Sequence, residues 1–151
     1  MSAVEDADPQ STVSGAATFG SPDDLLGAVG RHLGTTGWAT LEAPDVTRFV
    51  EATATPATGG AVPPLMVLSL TNRFLPELLQ VPGASNGVNY GTGSVRFPAE
   101  VRAGDRLRAS ARLCEAVEVP GGVQTTVEIT VEVDGSSQPA CVVESLSRWM
   151  R

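Results

Sequence analysis

A long, mostly apolar run over residues 62–81 dominates the hydrophobic pattern of the chain. Leucine, valine, methionine and phenylalanine recur there at helical spacing and fill most of the circumference, which is typical of a buried helix. Pro63 and Pro64 are compatible with its first turn, because the first N–H groups of a helix have no intrahelical partner. Pro76 removes a later hydrogen bond, so the pattern predicts a kink there or an end of the regular helix near Leu75.

The second half of the chain has the alternating pattern of β-strands. The predicted strands are 88–97, 106–119, 123–133 and 140–149. Valine and isoleucine alternate with threonine and glutamate in the third of them, as in a strand with one buried and one solvated face. Gly91 and Gly93 predict a bulge or a close approach by another backbone or a ligand. One buried helix followed by these strands predicts an α+β fold, with an antiparallel sheet wrapped around the helix.

Shorter elements precede the long helix. They are predicted as a helix over 22–33, a strand over 36–41 and a second helix over 45–53. Ser21 is the expected N-cap of the first helix, and Gly34 is where it stops. The loop 53–60 carries no hydrophobic anchor. Residues 1–20 are rich in serine, alanine, glycine and acids, so we expect a disordered tail followed by a single domain, 21–151.

Length and composition fit this arrangement. A chain of 151 residues is large enough for one domain with a real core, and 42% hydrophobic residues is ordinary for a soluble protein. No apolar run reaches the roughly 18 residues that a membrane span needs. The N-terminus lacks the layout of a secretory signal, so we expect a cytoplasmic protein.

The net charge limits the kinds of partner that we expect, and the cysteine content limits the disulfide chemistry. The net charge is −7, and the absence of a basic cluster argues against nucleic acid as a partner. All ten basic residues are arginine, which, with the alanine and glycine content, is typical of coding in GC-rich bacteria. Cys114 and Cys141 are too few for a disulfide framework, and we expect both to be reduced and packed as small hydrophobes. We expect no metal and no cofactor.

Several short motifs resemble those of the MaoC-like dehydratase family. They are Leu33-Gly34-Thr35 with Trp38, Gly87-Val88-Asn89-Tyr90-Gly91, Val95-Arg96-Phe97-Pro98-Ala99 and Pro139-Ala140-Cys141-Val142. The resemblance covers residues 24–149, and the second and third motifs are its most specific part. It implies a hot-dog fold, in which an antiparallel sheet wraps a central helix, and dimers formed through the sheet with sites at the interface. It also implies substrates that are enoyl or 3-hydroxyacyl thioesters of coenzyme A or a carrier protein.

The catalytic signature of that family is missing. Members carry an Asp after the second helix and a His five residues later, which activate a water and protonate the α-carbon; a His-Gly pair opens the central helix. Here the Asp position falls at Thr55, the segment for the His is absent, and the His-Gly pair aligns with Pro63 and Pro64. Acid–base catalysis needs a group that titrates near neutral pH, which threonine does not. We therefore expect no ordinary enoyl-thioester hydratase activity.

Candidate site residues follow from the resemblance. Asn89 and Tyr90 lie in the family's active-site strand and, with Thr55, are the catalytic candidates, as hydrogen-bond donors or acceptors. The substrate-binding candidates are Leu65, Ser69, Gly91 and Arg96. The Leu65 N–H at the helix start could donate to a thioester oxygen, whereas Pro64 has no N–H.

Each candidate also has a simpler explanation. Tyr90 could pack in the core, Ser69 could bond back to its own helix, and Arg96 could form a cross-strand ion pair. His32, the single histidine, could be a surface residue near a helix end or a relocated base. Asp45 could be a solvated charge or a substitute base.

Three functions remain open at this point. The first is a diverged protein of bacterial specialised metabolism that binds an acyl-thioester or polyketide-type substrate and promotes cyclisation, dehydration or isomerisation by positioning. The second is a non-catalytic subunit that pairs with an intact MaoC-type hydratase, as a heterodimer instead of a homodimer. The third is a conventional hydratase with His32 or Asp45 as the base.

Overall fold

The computed structural model describes residues 15–56 and 59–151. Its helices are α1 Ala43–Thr53, α2 Pro64–Ser69 and α3 Thr71–Leu78, with a 3₁₀ helix at Pro22–Gly27. Its strands are β1 Ala17–Thr18, β2 His32–Thr35, β3 Ala39–Thr40, β4 Leu79–Gln80, β5 Asn86–Arg96, β6 Arg106–Val119, β7 Gly122–Val133 and β8 Cys141–Met150. The four predicted strands of the second half are confirmed, with ends that shift by at most two residues.

The main sheet is antiparallel and has the strand order β2-β6-β7-β8-β5, with β3 also paired to β6. The alternation in β7 places Val127, Ile129 and Val131 in the core, while Glu128 faces solvent. Long hairpins join β6, β7 and β8, because their turns are short and each strand buries one apolar face. This leaves β5 as the exposed edge strand on one side and β2 on the other.

The helix over 64–78, hereafter the central helix, lies against the concave face of this sheet. Its buried apolar side chains are Met66, Val67, Phe74 and Leu78, and Thr71 is also buried. The prediction of a long helix is confirmed, but burial all round is wrong: Leu65 is 64% exposed. The opposite side of the helix therefore forms an exposed stripe.

The interruption of the central helix lies at Leu70 and not at Pro76. Leu70 closes α2 by donating its N–H to the Met66 and Val67 carbonyls, and α3 then begins at Thr71. Because the helix restarts there, Pro76 lies only five residues from the new start and costs it a single hydrogen bond. The helix ends at Leu78, and the next two residues form β4.

The segment before β2 differs from the predicted helix. The helix is a short 3₁₀ turn that ends at Gly27, and Leu33 is buried as part of β2. The Gly30 N–H donates to the Leu113 carbonyl at 2.7 Å, with Gly30 at φ +91°. Pairing with the sheet edge therefore prevails over local helix propensity. The predicted strand 36–41 is correspondingly reduced to β3.

The end of the predicted tail is structured. Ala17–Thr18 forms β1, which pairs in parallel with β4, and Phe19 is buried at 5% exposure. The Arg31 guanidinium lies 5.1 Å from the centre of the Phe19 ring. Residues 1–14 lie outside the described part of the chain.

The segment between α1 and the central helix is short. The prediction of α1 is confirmed, and Val46 and Phe49 pack against the edge of the core. Residues 57 and 58 of the predicted loop are not described. Ala61 then forms an isolated bridge with Arg102 and brings the chain to the start of the central helix. Within the described ranges, no helix combines the length and apolar character of a membrane span.

Candidate functional site

Two cavities lie along the line where the central helix faces β5 and residues 97–101; we call this line the seam. The apolar cavity has a volume of about 330 Å³ and lies at the start of the helix. Its walls include Val62, Pro64, Val67, Phe97 and Val101. Apolar walls with few polar groups suit a hydrocarbon portion of a ligand.

The polar cavity, of about 240 Å³, lies further along the helix. Its polar lining residues are Asn72 of α3, Asn89 of β5 and Ser147 of β8. Asn89 Nδ2 donates to Asn72 Oδ1 at 2.6 Å, so the edge strand is bonded directly to the central helix. The Trp149 ring forms one wall, and its indole N–H donates to Thr125 Oγ1 at 3.0 Å.

A third cavity, of about 360 Å³, lies between α1 and the chain that enters the central helix. Val46, Val50 and Pro63 are among its walls, and Ala61 lines both this cavity and the apolar one. It is larger than the apolar and the polar cavities, but it lies away from β5. It also borders the loop whose residues 57 and 58 are not described.

Asn89 and Tyr90 are neighbours in sequence that the structure separates. Asn89 faces the central helix, whereas the Tyr90 ring lies on the outer face of the sheet, with its centre 3.8 Å from the Arg148 guanidinium carbon. Arg148 Nε donates to Gln124 Oε1 on the same outer face. The register of β5 against β8 shifts between Asn89 and Gly91, so the glycine-associated bulge is confirmed.

The remaining strand candidates lie on exposed backbone. Gly91 pairs with Leu146, and Arg96 pairs with Val142 near the end of β5. The cross-strand ion pair considered for Arg96 is not formed with any described residue. Neither Gly91 nor Arg96 is among the residues that line the apolar or the polar cavity.

The helix candidates lie on the exposed stripe of the central helix. Ser69 Oγ donates to the Leu65 carbonyl at 2.8 Å, which is the local back-bond that was its simpler explanation. Thr55 follows α1 on the side of the third cavity, and its hydroxyl lies 2.6 Å from the Thr53 hydroxyl. The structure thus brings Asn89 and the exposed stripe together, but not Thr55 or Tyr90.

Acid–base groups are sparse along the seam. Glu100 is the carboxylate at the apolar cavity, and it pairs with Arg102 at 2.8 Å on exposed side chains. His32 lies on β2, at the edge of the sheet opposite to β5, where its Nδ1 accepts from the Gly34 N–H. Four strand spacings separate the two edges, about 19 Å along the sheet. Asp45 pairs with Arg48 on α1.

The cysteines and acidic residues that the structure describes show no further catalytic arrangement. Cys141 is buried, and burial raises the pKa of its thiol, so it remains protonated and poorly nucleophilic. Cys114 is exposed at a bulge of β6, which contradicts its predicted packing. In the described ranges, no three histidine, cysteine, aspartate or glutamate side chains are grouped so that they could hold a metal ion.

Two polar residues of the seam were not singled out from the sequence. Asn72 interrupts the apolar run, which could have marked it as the polar side of the helix. Ser147 alternates with Leu146 and Arg148 in β8, and alternation alone does not distinguish a core serine from one that lines a cavity. Its position next to Asn89 in the strand register could only be known from the structure.

Comparison with solved structures identifies the fold. The monoamine oxidase regulatory protein of Archaeoglobus fulgidus superposes with a TM-score of 0.70 at 15% identity, over 91% of this chain and 99% of the other. The MaoC-like dehydratase of Rhodospirillum rubrum superposes with a TM-score of 0.63 at 18% identity, over 82% of this chain and 93% of the other. One component of the ChsH1-ChsH2 complex of Mycobacterium tuberculosis superposes with a TM-score of 0.58 at 15% identity, over 82% of this chain and 98% of the other. The predicted hot-dog fold is confirmed.

Sequence comparison is more specific. No protein-family model matches the chain. Over 148 residues it is 37% identical to 3-hydroxyacyl-thioester dehydratase Z of Mycobacterium tuberculosis, a match that covers 88% of this chain and 98% of the relative. The chain belongs to the MaoC-like dehydratase family. Nodulation protein N of Rhizobium leguminosarum is also similar, at 27% identity over 135 residues, or 78% of this chain and 83% of that protein.

Family membership confirms the resemblance drawn from the motifs of β5 and β8. It also gives the seam a context, because the relative is a dehydratase of 3-hydroxyacyl thioesters. Among the described residues, no histidine lines either cavity of the seam.

Proposed function

We propose that this MaoC-like chain binds a thioester-linked acyl or polyketide-type substrate along the seam and promotes a step other than enoyl hydration. The apolar cavity accepts the acyl portion, and Asn89 hydrogen-bonds the substrate further along. Cyclisation, dehydration or isomerisation of a flexible substrate can be promoted in this way, because correct orientation alone contributes up to about 7–11 kcal/mol to lowering a barrier.

The observation that carries this proposal is the position of His32. It is the one histidine in the sequence, and it lies at the sheet edge opposite to the seam. Pro63 and Pro64 stand at the start of the central helix, where neither can donate a backbone hydrogen bond. A reaction that depends on a titrating imidazole therefore lacks its group here, whereas one that depends on shape and hydrogen bonds does not.

The test is incubation of the purified protein with linear polyketide-type and β-keto-acyl pantetheine thioesters, with products followed by mass spectrometry. We expect a cyclised, dehydrated or isomerised product to form faster with the protein than without it. Asn89→Ala should reduce that rate by about tenfold, as loss of an orienting hydrogen bond does.

The matched control is Ser94→Ala, which removes a hydroxyl of the same strand whose partner is Glu144 on the outer face. Its rate should equal that of the wild type. Equal rates for wild type, Asn89→Ala and buffer would remove the proposed activity.

A second function, a non-catalytic subunit paired with an intact hydratase, is favoured by the exposed edge. Leu65 is 64% exposed, and β5 presents unpaired backbone groups along the rim of the sheet. The fold neighbour ChsH1-ChsH2 is a complex of two chains. Co-expression with a MaoC-like chain from a neighbouring gene tests this: a stable mixed dimer with raised hydratase activity would support it, and a homodimer that changes nothing would end it.

A further inference from the structure

The apolar cavity carries one ionisable side chain. Among the described residues, Glu100 is the only titratable residue that lines either cavity of the seam. The other residues around the apolar cavity, which include Val62, Val67 and Phe97, have no side chain that could accept or donate a proton. Within this chain, acid–base chemistry in the apolar cavity therefore falls to Glu100.

The backbone on both sides of Glu100 is fixed by hydrogen bonds to neighbouring segments. The Ala99 N–H donates to the Pro139 carbonyl at 3.0 Å, and the Val101 carbonyl accepts from the Val62 N–H at 2.7 Å. Val101 is also buried and packs in the core. Glu100 is therefore held at the wall of the cavity by ordered backbone, which is what a reacting group needs.

The carboxylate of Glu100 has a single partner. Arg102 Nη2 lies 2.8 Å from Glu100 Oε1, and both side chains are more than half exposed. No other described residue bonds to this carboxylate. A carboxylate has about four lone-pair sites, so most of its capacity to accept a proton remains open. An exposed ion pair adds little to stability, so stability does not account for a carboxylate at an apolar wall.

One carboxylate in an apolar cavity suits a proton shift better than hydration. Hydration requires a water molecule to be held and deprotonated while a proton is delivered to the α-carbon. No second polar side chain of the described residues lines the apolar cavity to hold that water. A double-bond shift requires only one group, which takes a proton from one carbon and returns it two carbons further on.

We propose that Glu100 is a catalytic base that isomerises 3-enoyl thioesters to 2-enoyl thioesters in the apolar cavity. The carboxylate removes a proton from C2, and the electron pair of that C–H bond forms a dienolate with the thioester carbonyl. The carbonyl then reforms, the C1–C2 π pair moves to C2–C3, and the C3–C4 π pair takes the proton back from Glu100 at C4. No water and no cofactor are consumed, and the carboxylate is regenerated. This assignment rests on the proposed function, because it places the acyl group in the apolar cavity.

The test uses the purified protein with trans-3-hexenoyl-pantetheine and follows the conjugated 2-enoyl thioester through its ultraviolet absorbance. We expect this product to form faster with the wild type than in buffer. Glu100→Gln keeps the size of the side chain but cannot carry the proton. Its kcat should fall at least about 100-fold, the lower end for general acid–base catalysis, while KM changes less than about threefold.

The matched control is Glu51→Gln, because Glu51 is a carboxylate that lines the third cavity and not the seam. Its rate should equal that of the wild type. Glu100→Gln should leave the melting temperature within about 4 °C of the wild type, because it removes only an exposed ion pair. A loss of rate in this folded variant then belongs to the proton transfer.

The outcomes separate this inference from the proposed function. Isomerisation that is equally fast in Glu100→Gln and in the wild type would overturn the role of Glu100 while leaving a reaction other than hydration at the seam. Cyclisation of polyketide-type thioesters without isomerisation of 3-hexenoyl-pantetheine would overturn this inference and support the proposed function. Isomerisation that is lost in Glu100→Gln and kept in Glu51→Gln would support both, and no turnover of any thioester would remove both.

Discussion

At the scale of single residues, exposure separates the two roles of the central helix. Leu78 is 0% exposed and packs in the core, whereas Leu65 is 64% exposed on the stripe beside the apolar cavity. Both are leucines in helical turns, so their substitution by alanine compares burial with little change in helix propensity.

Leu78→Ala should lower the free energy of unfolding by about 2–5 kcal/mol, because it leaves a cavity in a closely packed core. Leu65→Ala should change it by less than about 0.5 kcal/mol. Chemical denaturation measures both. A loss for Leu65→Ala as large as that for Leu78→Ala would contradict its exposure, and would indicate that a second chain covers the stripe.

The residue scale also shows where prediction from sequence stops. Asn89 was identified through its motif, and its place on the cavity side of β5 agrees with a role in binding. Tyr90, from the same motif, lies beside Arg148 on the other face, because successive side chains of a strand point to opposite faces. Which side a residue faces near a bulge depends on strand register, and the sequence carries no direct signal for it.

At the scale of elements, the strand pattern was more informative than the helix pattern. The alternation is clear over 107–113 of β6 and 127–133 of β7, because one face of each strand is buried there. The predicted helix over 22–33 failed, since its leucines are held by the 3₁₀ turn and by β2 and not by a continuous helix. A short apolar run does not distinguish these alternatives, and the hydrogen bond from Gly30 to Leu113 decides between them.

The attachment of β1 to β4 is another element that the sequence did not predict. Gly83 lies so close to the Gly20 backbone that a Cβ on it would stand 2.0 Å from the Gly20 carbonyl oxygen. Gly83→Ala should therefore displace the segment that carries Phe19 and lower the free energy of unfolding by about 1–3 kcal/mol.

The control for this prediction is Gly91→Ala, because a Cβ at Gly91 would meet nothing within 4 Å. Thermal and chemical denaturation of both variants provide the comparison. A Gly83→Ala protein as stable as Gly91→Ala would show that β1 is not packed as described.

At the scale of the whole molecule, the wrapped sheet and its helix follow from the hydrophobic pattern, but the site does not. The family motifs lead to β5, whereas Ser147 and Asn72 join the site only through the sheet register and the packing of α3. The resemblance implies hydration chemistry that depends on a titrating pair, and the sequence between Thr55 and Pro63 has no residue type that could supply it.

The missing titrating pair also sets the expected size of the loss in hydration activity. General acid–base catalysis contributes about 10²–10⁴-fold to such reactions. A seam without a histidine should lose at least that factor in hydration while keeping the ability to bind a thioester. We therefore expect thioester binding and hydration to be separable in this chain.

The most direct test is the hydration of crotonyl-CoA by the purified protein, followed through the ultraviolet absorbance of the enoyl thioester. The account predicts a rate no greater than that of buffer, at protein concentrations where crotonyl-pantetheine binding is measurable. Saturable hydration in proportion to the protein, above all if it is abolished by His32→Ala, would contradict it.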